Sequence, residues 1–528
     1  MIYSSQHTRN RTVGVWLAIL LLFCICNATL ESSIPGSSKL VNIHISTRLK
    51  EQNLKPSKRS SDAEFLRRVH LDLTGRIPTA DEVLEFLNDG SKRKRERKID
   101  RLIGSEAYIQ YWTHLWMKWL VKREAAGNLE NLEKWVEEAL RKNMPYDHFV
   151  KALVAAKGDS RDNGAANYIL RYELDPVELS AHISRLFLGL PMQCAQCHDH
   201  KTEAWFQEDF FGVAAFFTGM KRVPLYETTM DGRREVVGHY IADGTAHPIH
   251  IPDTETDVAP RFLDGEAYQG VPTLERKALG EWITHKENPY FAKAIVNRIW
   301  SHFMGRAFVE PLDGFGEEYP PSDPDLLDML AEYFVIYDHD LRYLMRIILN
   351  TDAYQRSSET NKNNKDDDTY YSHAYIKPLD PEQFFFSMLQ ATGFERILFR
   401  QDPLDLERKK REYLQRFVFL LDNGENEEIE AFNGTVPQAL MMINGAMVND
   451  SADTKARGSF LNYILDKWRD PGDRLERIYL NVLSRPPNSK EKSYFMRYLD
   501  RSLYRNKDLA YGDIYWVLLN SAEFALNH

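Results

Sequence analysis

Apolar side chains recur at intervals of three and four along three stretches of this chain, about residues 65–217, 273–357 and 381–528. At 3.6 residues per turn that spacing gives each segment one apolar face, so the chain is expected to fold chiefly as helices packed on one another. Leu66, Val69, Leu71 and Leu73 open the first stretch, and Trp112, Trp116 and Trp119 form a core stripe further along it. The period changes between Arg222 and Pro252. There Glu235–Ile241 and His247–Ile251 alternate and are edged by Gly and Pro, which reads as a small β insertion followed by a long connection. The expected fold is mainly α, two helical blocks with a small β insertion and long connecting loops. Its parts are a signal peptide (1–28), an entry segment with one short helix (29–60), a first helical domain (61–221), the insertion and connection (222–272) and a second helical domain (273–528). Residues 359–369 read as a polar linker or loop, and 423–437 as irregular.

The N-terminus has the layout of an export signal. Arg9 and Arg11 precede a 14-residue apolar run, Val13 to Cys26, and Cys26-Asn27-Ala28 offers small residues for cleavage. A membrane span needs about 20 apolar residues, so the run fits a signal peptide better than an anchor. No later segment is apolar enough to span a bilayer. The mature chain is therefore expected to be periplasmic or extracellular, without a transmembrane span. A net charge of −10 gives no general attraction to nucleic acid. The run Lys92–Arg101 holds seven basic residues but also Glu96 and Asp100, and reads as a solvated helix face rather than a nucleic-acid site.

Of four cysteines, Cys24 and Cys26 lie in the export segment, leaving only Cys194 and Cys197. They stand in Cys194-Ala195-Gln196-Cys197-His198, the attachment pattern for haem c. In that chemistry the two thiols add to the haem vinyl groups and the histidine ligates the iron, which makes Cys194 and Cys197 the attachment residues and His198 the axial ligand. Met220, Met230, His239, His247 and His250 are candidates for the opposite axial position, whereas Met192 and His200, though close in sequence, are expected on the wrong face. Two other readings of the same residues stand. Cys194, Cys197, His198 and His200 are a set that zinc would accept, with a further histidine needed at so short a spacing. A plain Cys194–Cys197 disulfide is the third.

The aromatic run Trp205, Phe206, Phe210, Phe211, Phe216 and Phe217 is either a wall around a haem or ordinary core. Arg298, His302 and Arg306, at helical spacing, read as a structural network between helices. Catalytic signatures such as Gly-x-Ser-x-Gly, His-Glu-x-x-His or a P-loop do not occur. A weak internal echo relates residues 66–79 to 475–488, both helices stopping at an Arg-x-Pro turn. A shorter theme recurs at 103–108, 349–354 and 519–524. The echo suggests that the last helices pack beside the first block.

These motifs carry a family resemblance. Residues 65–79, 145–150 and 187–190, leading into 194–200, resemble the planctomycete-type domain DUF1549, also called planctomycete cytochrome C-like domain 2. Residues 276–279, 288–292, 297–306, 437–440 and 485–487 resemble its usual companion, DUF1553. The resemblance implies a secreted or periplasmic protein without an established activity. It also implies a place among systems handling complex polysaccharides, where relatives often carry an extra cytochrome c-like or carbohydrate-binding module that this chain lacks. Lys201 departs from the proline common in the family after His200. Two functions follow as expectations. One is single-electron transfer through haem c, with a second redox protein as partner. The other is non-redox polysaccharide binding or hydrolysis, with the Cys/His cluster as a metal or disulfide site.

Overall fold

Capping side chains set where the helices begin. In the computed structural model, which describes residues 36–121, 129–196, 205–401, 405–421, 445–504 and 506–528, Ser61 accepts the Glu64 N–H and starts a helix at Asp62–Thr74. Thr79 and Glu82 form a reciprocal capping box that starts Ala80–Asn88. With the helix over residues 36–51, these are α1, α2 and α3. There follow α4 (Lys94–Leu102), α5 (Glu106–Leu120), α6 (Glu130–Arg141), α7 (Tyr146–Val154), α8 (Ala166–Arg171), α9 (Pro176–Leu188) and α10 (Gln207–Ala215). Beyond the strands come α11 (Glu275–Ile283), α12 (Phe291–Met304), α13 (Pro324–Ile336), α14 (Leu341–Leu349) and α15 (Pro381–Thr392), with further helices to Ala525. The chain is mainly helical, as its periodicity requires. No helix among the described residues is long and apolar enough to cross a membrane. Residues 1–28, read as the signal peptide, and the irregular stretch 423–437 lie outside the described residues.

The β insertion is a hairpin of β2 (Met220–Thr228) and β3 (Arg234–Asp243), extended by a short β1 (Gly158–Asp159) into an antiparallel sheet of order β1-β3-β2. Glu235–Ile241 falls within β3. β2 begins two residues ahead of the change in sequence period, and it is largely exposed on both faces, so it carries no alternation to read. Of His247–Ile251 only Ile249–His250 is strand, β4, paired with β5 (Asp257–Val258). Near the end of the chain β6 (Lys377–Pro378) pairs with β7 (Leu526–Asn527).

Two apolar cores meet at α2. Phe65, Leu66, Val69 and Leu73 join the large core that takes in residues from α1 to α14. Leu71 and Ile77 instead join the core of residues 379–525. The last helices thus pack beside the first block, as the echo suggests. Its two copies are alike in detail. The helix Pro471–Leu483 ends on Ser484 at φ 59°, as α2 ends on Gly75 at φ 65°, and Asn488 with Glu491 repeats the Thr79–Glu82 box. The shorter theme is a cap in all three copies. Ser105, Thr351 and Ser521 accept the N–H of Tyr108, Tyr354 and Phe524, each at 3.2 Å.

The entry segment holds a longer helix than its sequence suggested. α1 buries Val41, Ile45 and Leu49 and bonds to α14 through Ser38 and the Ile347 carbonyl at 3.0 Å. Residues 359–369 form a tied loop rather than a linker. Asn364 is fully buried and donates to Ser57 Oγ at 3.0 Å. The basic run lies on and around α4 and is laced to acids. Lys94 and Arg95 meet Asp62, Lys98 meets Glu82, and Arg97 meets Asp89.

Candidate functional site

α9 leads straight into the cysteine motif, and its end is fixed by geometry. Asp175 caps the start and Pro176 occupies the first turn. The helix stops at Gly189, φ 70°, where an added Cβ would lie 2.5 Å from the Phe315 ring. The Gly189 carbonyl accepts the Phe315 N–H at 3.0 Å, so the loop after α12 clamps the chain ahead of the motif. Asn297, fully buried on α12, holds that loop through the carbonyls of Val309 and Leu312 and the N–H groups of Phe308 and Val309. Beside it Asp313 pairs with both Arg298 and Arg185 of α9. Arg298 in turn lies over the Trp119 ring, 5.6 Å from its centroid.

The motif begins in a 3-10 turn, Met192–Gln196. Residues three apart share a side of such a turn. Met192 and Ala195 are both fully buried, while Gln193 is exposed. Cys194 belongs to this turn by its backbone. Its side chain, together with Cys197, His198 and His200, lies outside the described residues. α10 resumes the chain after the motif and packs on both α9 and the turn. Gln207 Nε2 donates to the Gln196 carbonyl at 3.4 Å.

The candidates for a second axial ligand are dispersed. Met230 is fully exposed at the hairpin tip, ~25 Å along β2 from Met220 at the strand rise. Met220 and His239 are half-buried on β2 and β3. His247 is exposed, and so is His250, whose Nδ1 lies 2.9 Å from Asp257. β4, which carries His250, packs on α10. Four of the six aromatics after the motif are core. Phe210, Phe211, Phe216 and Phe217 are at most 1% exposed, and Phe216 meets Phe262 and Tyr268. Trp205, half-buried against Tyr290, and Phe206, 57% exposed, keep surface beside the motif. Acidic residues at the start of α10 hold its entry, Asp209 accepting from Phe206 N–H and from Arg261.

A second polar centre forms around Asp72, which the sequence analysis does not single out, and takes in His302, which it does. Asp72 of α2 is fully buried, and its carboxylate accepts from Lys377 Nζ (2.7 Å), Asn527 Nδ2 (2.7 Å) and Tyr354 Oη (2.8 Å). Its carbonyl accepts His302 Nε2–H at 2.9 Å. Burial first, then the Lys377 ammonium, lower His302 to about 4, so it is neutral at pH 7 with its proton on Nε2. Lys377 also donates to the carbonyls of His302 and Phe303. Arg306 turns away to Glu310 and Asp368. The trio Arg298, His302 and Arg306, the last just beyond the end of α12, is therefore divided between two internal networks and the surface. Among the described residues no group of three or more His, Cys, Asp or Glu is arranged to hold a metal. An open cleft of about 640 Å³ lies elsewhere, between the Phe394–Gln401 and Phe460–Lys467 helices, lined by Glu395, Arg396, Phe399, Tyr463 and Asp466.

Two family models match the chain. Residues 40–222, through α9 and the motif, match the protein of unknown function DUF1549, and residues 275–499, from α11 onward, match the protein of unknown function DUF1553. The chain is a DUF1549–DUF1553 protein. No curated protein and no solved structure is significantly similar to it. The two DUF1549–DUF1553 portions are joined through Asp72 and His302, one from each matched region.

Proposed function

We propose that this DUF1549–DUF1553 chain is an extracytoplasmic, c-type cytochrome-like electron carrier, with haem held by Cys194 and Cys197 and with His198 as an axial ligand. One observation carries the reading. The only two cysteines beyond the export segment stand in a single Cys-x-x-Cys-His motif, and Cys194 sits in a 3-10 turn whose three-residue period is that of the motif's spacing. Bound haem would supply one-electron oxidation and reduction. The chain's own residues would hold the attachment turn in place. Gly189 and Phe315 fix the approach, Met192 and Ala195 anchor the turn inward, and Trp205 and Phe206 keep apolar surface at the motif's far end. An electron carrier requires a second redox protein as partner, and attachment of haem c requires export.

The test is a pyridine haemochrome spectrum with a haem-stained denaturing gel, on protein exported from a host with c-type maturation. A covalent signal that disappears in Cys194→Ser and Cys197→Ser supports the reading. A folded, exported, colourless protein sinks it. Zinc that is lost in the same variants and in His200→Ala would then assign the cluster to a metal site. Absence of both haem and metal, with two thiols titrating only after reduction, would assign it to a disulfide.

A further inference from the structure

α9 carries one more group with chemical potential, two turns before its end. Tyr168 of α8 is fully buried and its hydroxyl lies 2.9 Å from Nδ1 of His182, itself 3% exposed. His182 Nε2 lies 3.1 Å from the backbone carbonyl of Trp119. A carbonyl only accepts, so Nε2 carries a proton, and in the neutral imidazole Nδ1 accepts from the Tyr168 hydroxyl. The phenol is thus hydrogen-bonded to a nitrogen that can take its proton, and an imidazolium formed there would keep its other N–H on a carbonyl.

The neighbouring phenols lack this arrangement. Tyr172 packs on the same imidazole, ring centroids 4.9 Å apart, yet its hydroxyl donates to the Leu120 carbonyl. Tyr108 donates to the Met345 thioether. Tyr111 donates to Asp380, a carboxyl that burial already raises to about 7 and that also receives the Gln383 N–H. Burial pushes the Tyr168 phenol well above its ordinary value, so it does not ionise alone near neutral pH. It can lose its proton there only together with an electron. Trp119, half-exposed and one hydrogen bond from His182, is an oxidisable ring that reaches the surface, and it stacks edge-on to buried Trp116 at 5.0 Å.

We propose that Tyr168 and His182 form a redox-active tyrosine. A one-electron oxidant removes one electron from the phenol while the hydroxyl proton passes to His182 Nδ1. The products are the reduced oxidant, a neutral Tyr168 radical and an imidazolium whose Nε2–H remains on the Trp119 carbonyl. The reverse step returns the proton and one electron. An oxidised metal centre is the class of oxidant required, and the inference goes beyond the haem reading because any such oxidant suffices. Tyr168 is the redox group and His182 its proton acceptor.

The experiment is flash oxidation of the full mature chain by a photogenerated ruthenium(III) complex, followed by freeze-trapping and electron paramagnetic resonance. Exposed tyrosines also oxidise, so a soluble reductant is added after the flash to leave only buried radicals. The wild type is expected to retain a neutral tyrosyl signal that forms more slowly in D2O. Tyr168→Phe is expected to abolish it with the thermal midpoint and circular dichroism preserved, whereas Tyr172→Phe and Tyr111→Phe keep it. His182→Gln can still accept a hydrogen bond but cannot hold the proton, and radical formation is expected to slow by about a hundredfold. A retained signal in Tyr168→Phe overturns the proposal, as does loss of the signal in Tyr111→Phe alone. Should His182→Gln fail to fold, a wild-type signal indifferent to D2O overturns it equally. Because the oxidant is added, the outcome is the same whether or not haem is attached at Cys194 and Cys197.

Discussion

Replacing Lys377 by Met tests the claim that Asp72 locks the two matched regions together. The ammonium is 2.7 Å from a carboxylate with no exposed surface, and it also donates to two carbonyls of the last turn of α12. Met keeps most of the stem's volume but leaves Asp72 charged, buried and held only by Tyr354 and Asn527. Breaking one side of a buried pair costs about 3–5 kcal/mol. Losing a cation at a helix C-terminus adds about 0.3–1 kcal/mol. The expected loss is therefore about 3–6 kcal/mol, read as a fall in the urea midpoint followed by tryptophan fluorescence. The double variant Asp72→Asn/Lys377→Met removes the stranded charge and should recover part of that loss. A single-variant loss below about 1 kcal/mol would refute the reasoning, and so would a double variant whose loss equals the sum of the two singles.

Three further outcomes follow from the same geometry. Gly189→Ala places a Cβ 2.5 Å from the Phe315 ring at a left-handed φ of 70°, and should cost about 1–2 kcal/mol from the backbone alone and raise reactivity of the motif cysteines to a thiol reagent. Unchanged stability and reactivity would show that the clamp does not govern the turn. Thr79→Ala and Asn488→Ala each remove a box cap and should lose about 1 kcal/mol in thermal melts, while Thr79→Ser loses little. Burial, then Glu382, raises Asp380 from 3.8 to about 7, so the folded chain holds an extra proton between those values. Its contribution to stability is full below about pH 4 and is lost as pH rises through about 7. Asp380→Asn should flatten the decline in stability between about pH 4 and 7, and an unaltered pH profile in urea titrations would discount Asp380 as its source.

The sequence made the helices legible because each carries its own instructions. Ser61, Thr79 and Asp175 cap starts, and Gly75 and Gly189 mark ends, all within one turn of the residues they control. The echo between 66–79 and 475–488 likewise encoded matching stops and restarts. Asp72 was illegible for the opposite reason. In a row of residues it is one acid in a helical pattern, and its partners Tyr354, Lys377 and Asn527 lie 282 to 455 positions away. The run around Asn364 reads from composition as linker or loop alike, and only its hydrogen-bond partners decide for the loop. Tyr168 and His182 were close in sequence, 14 positions apart, but neither falls in a motif, and the tautomer that gives the pair its direction depends on a carbonyl from α5. At Cys194-Ala195-Gln196-Cys197-His198 the residue types were legible and specific, whereas Cys197, His198 and His200 lie outside the described residues.

The stretches by which this chain resembles its family divide into two physical kinds. Residues 65–79 and 297–306 are largely consumed internally. Arg67, fully buried, donates to the carbonyls of Val482, Glu523, Phe524 and Leu526, Gly75 admits the Tyr111 ring, and Asn297, Arg298 and His302 hold a loop, an aspartate and a carbonyl. Their residue types are explained by the fold alone and point to no substrate. The turn at Met192–Gln196 is different, because Met192 and Ala195 supply its inward packing and the spacing Cys-x-x-Cys-His is not required to make a 3-10 turn. A residue pattern that the fold leaves unexplained is where chemistry is to be sought, and in this chain that pattern follows α9, the helix that also carries His182. Haem at the motif after α9 and a redox-active tyrosine on α8, hydrogen-bonded to His182 of α9, are separate propositions. Each has its own assay, and if both hold, α9 is the element along which an electron would pass between them.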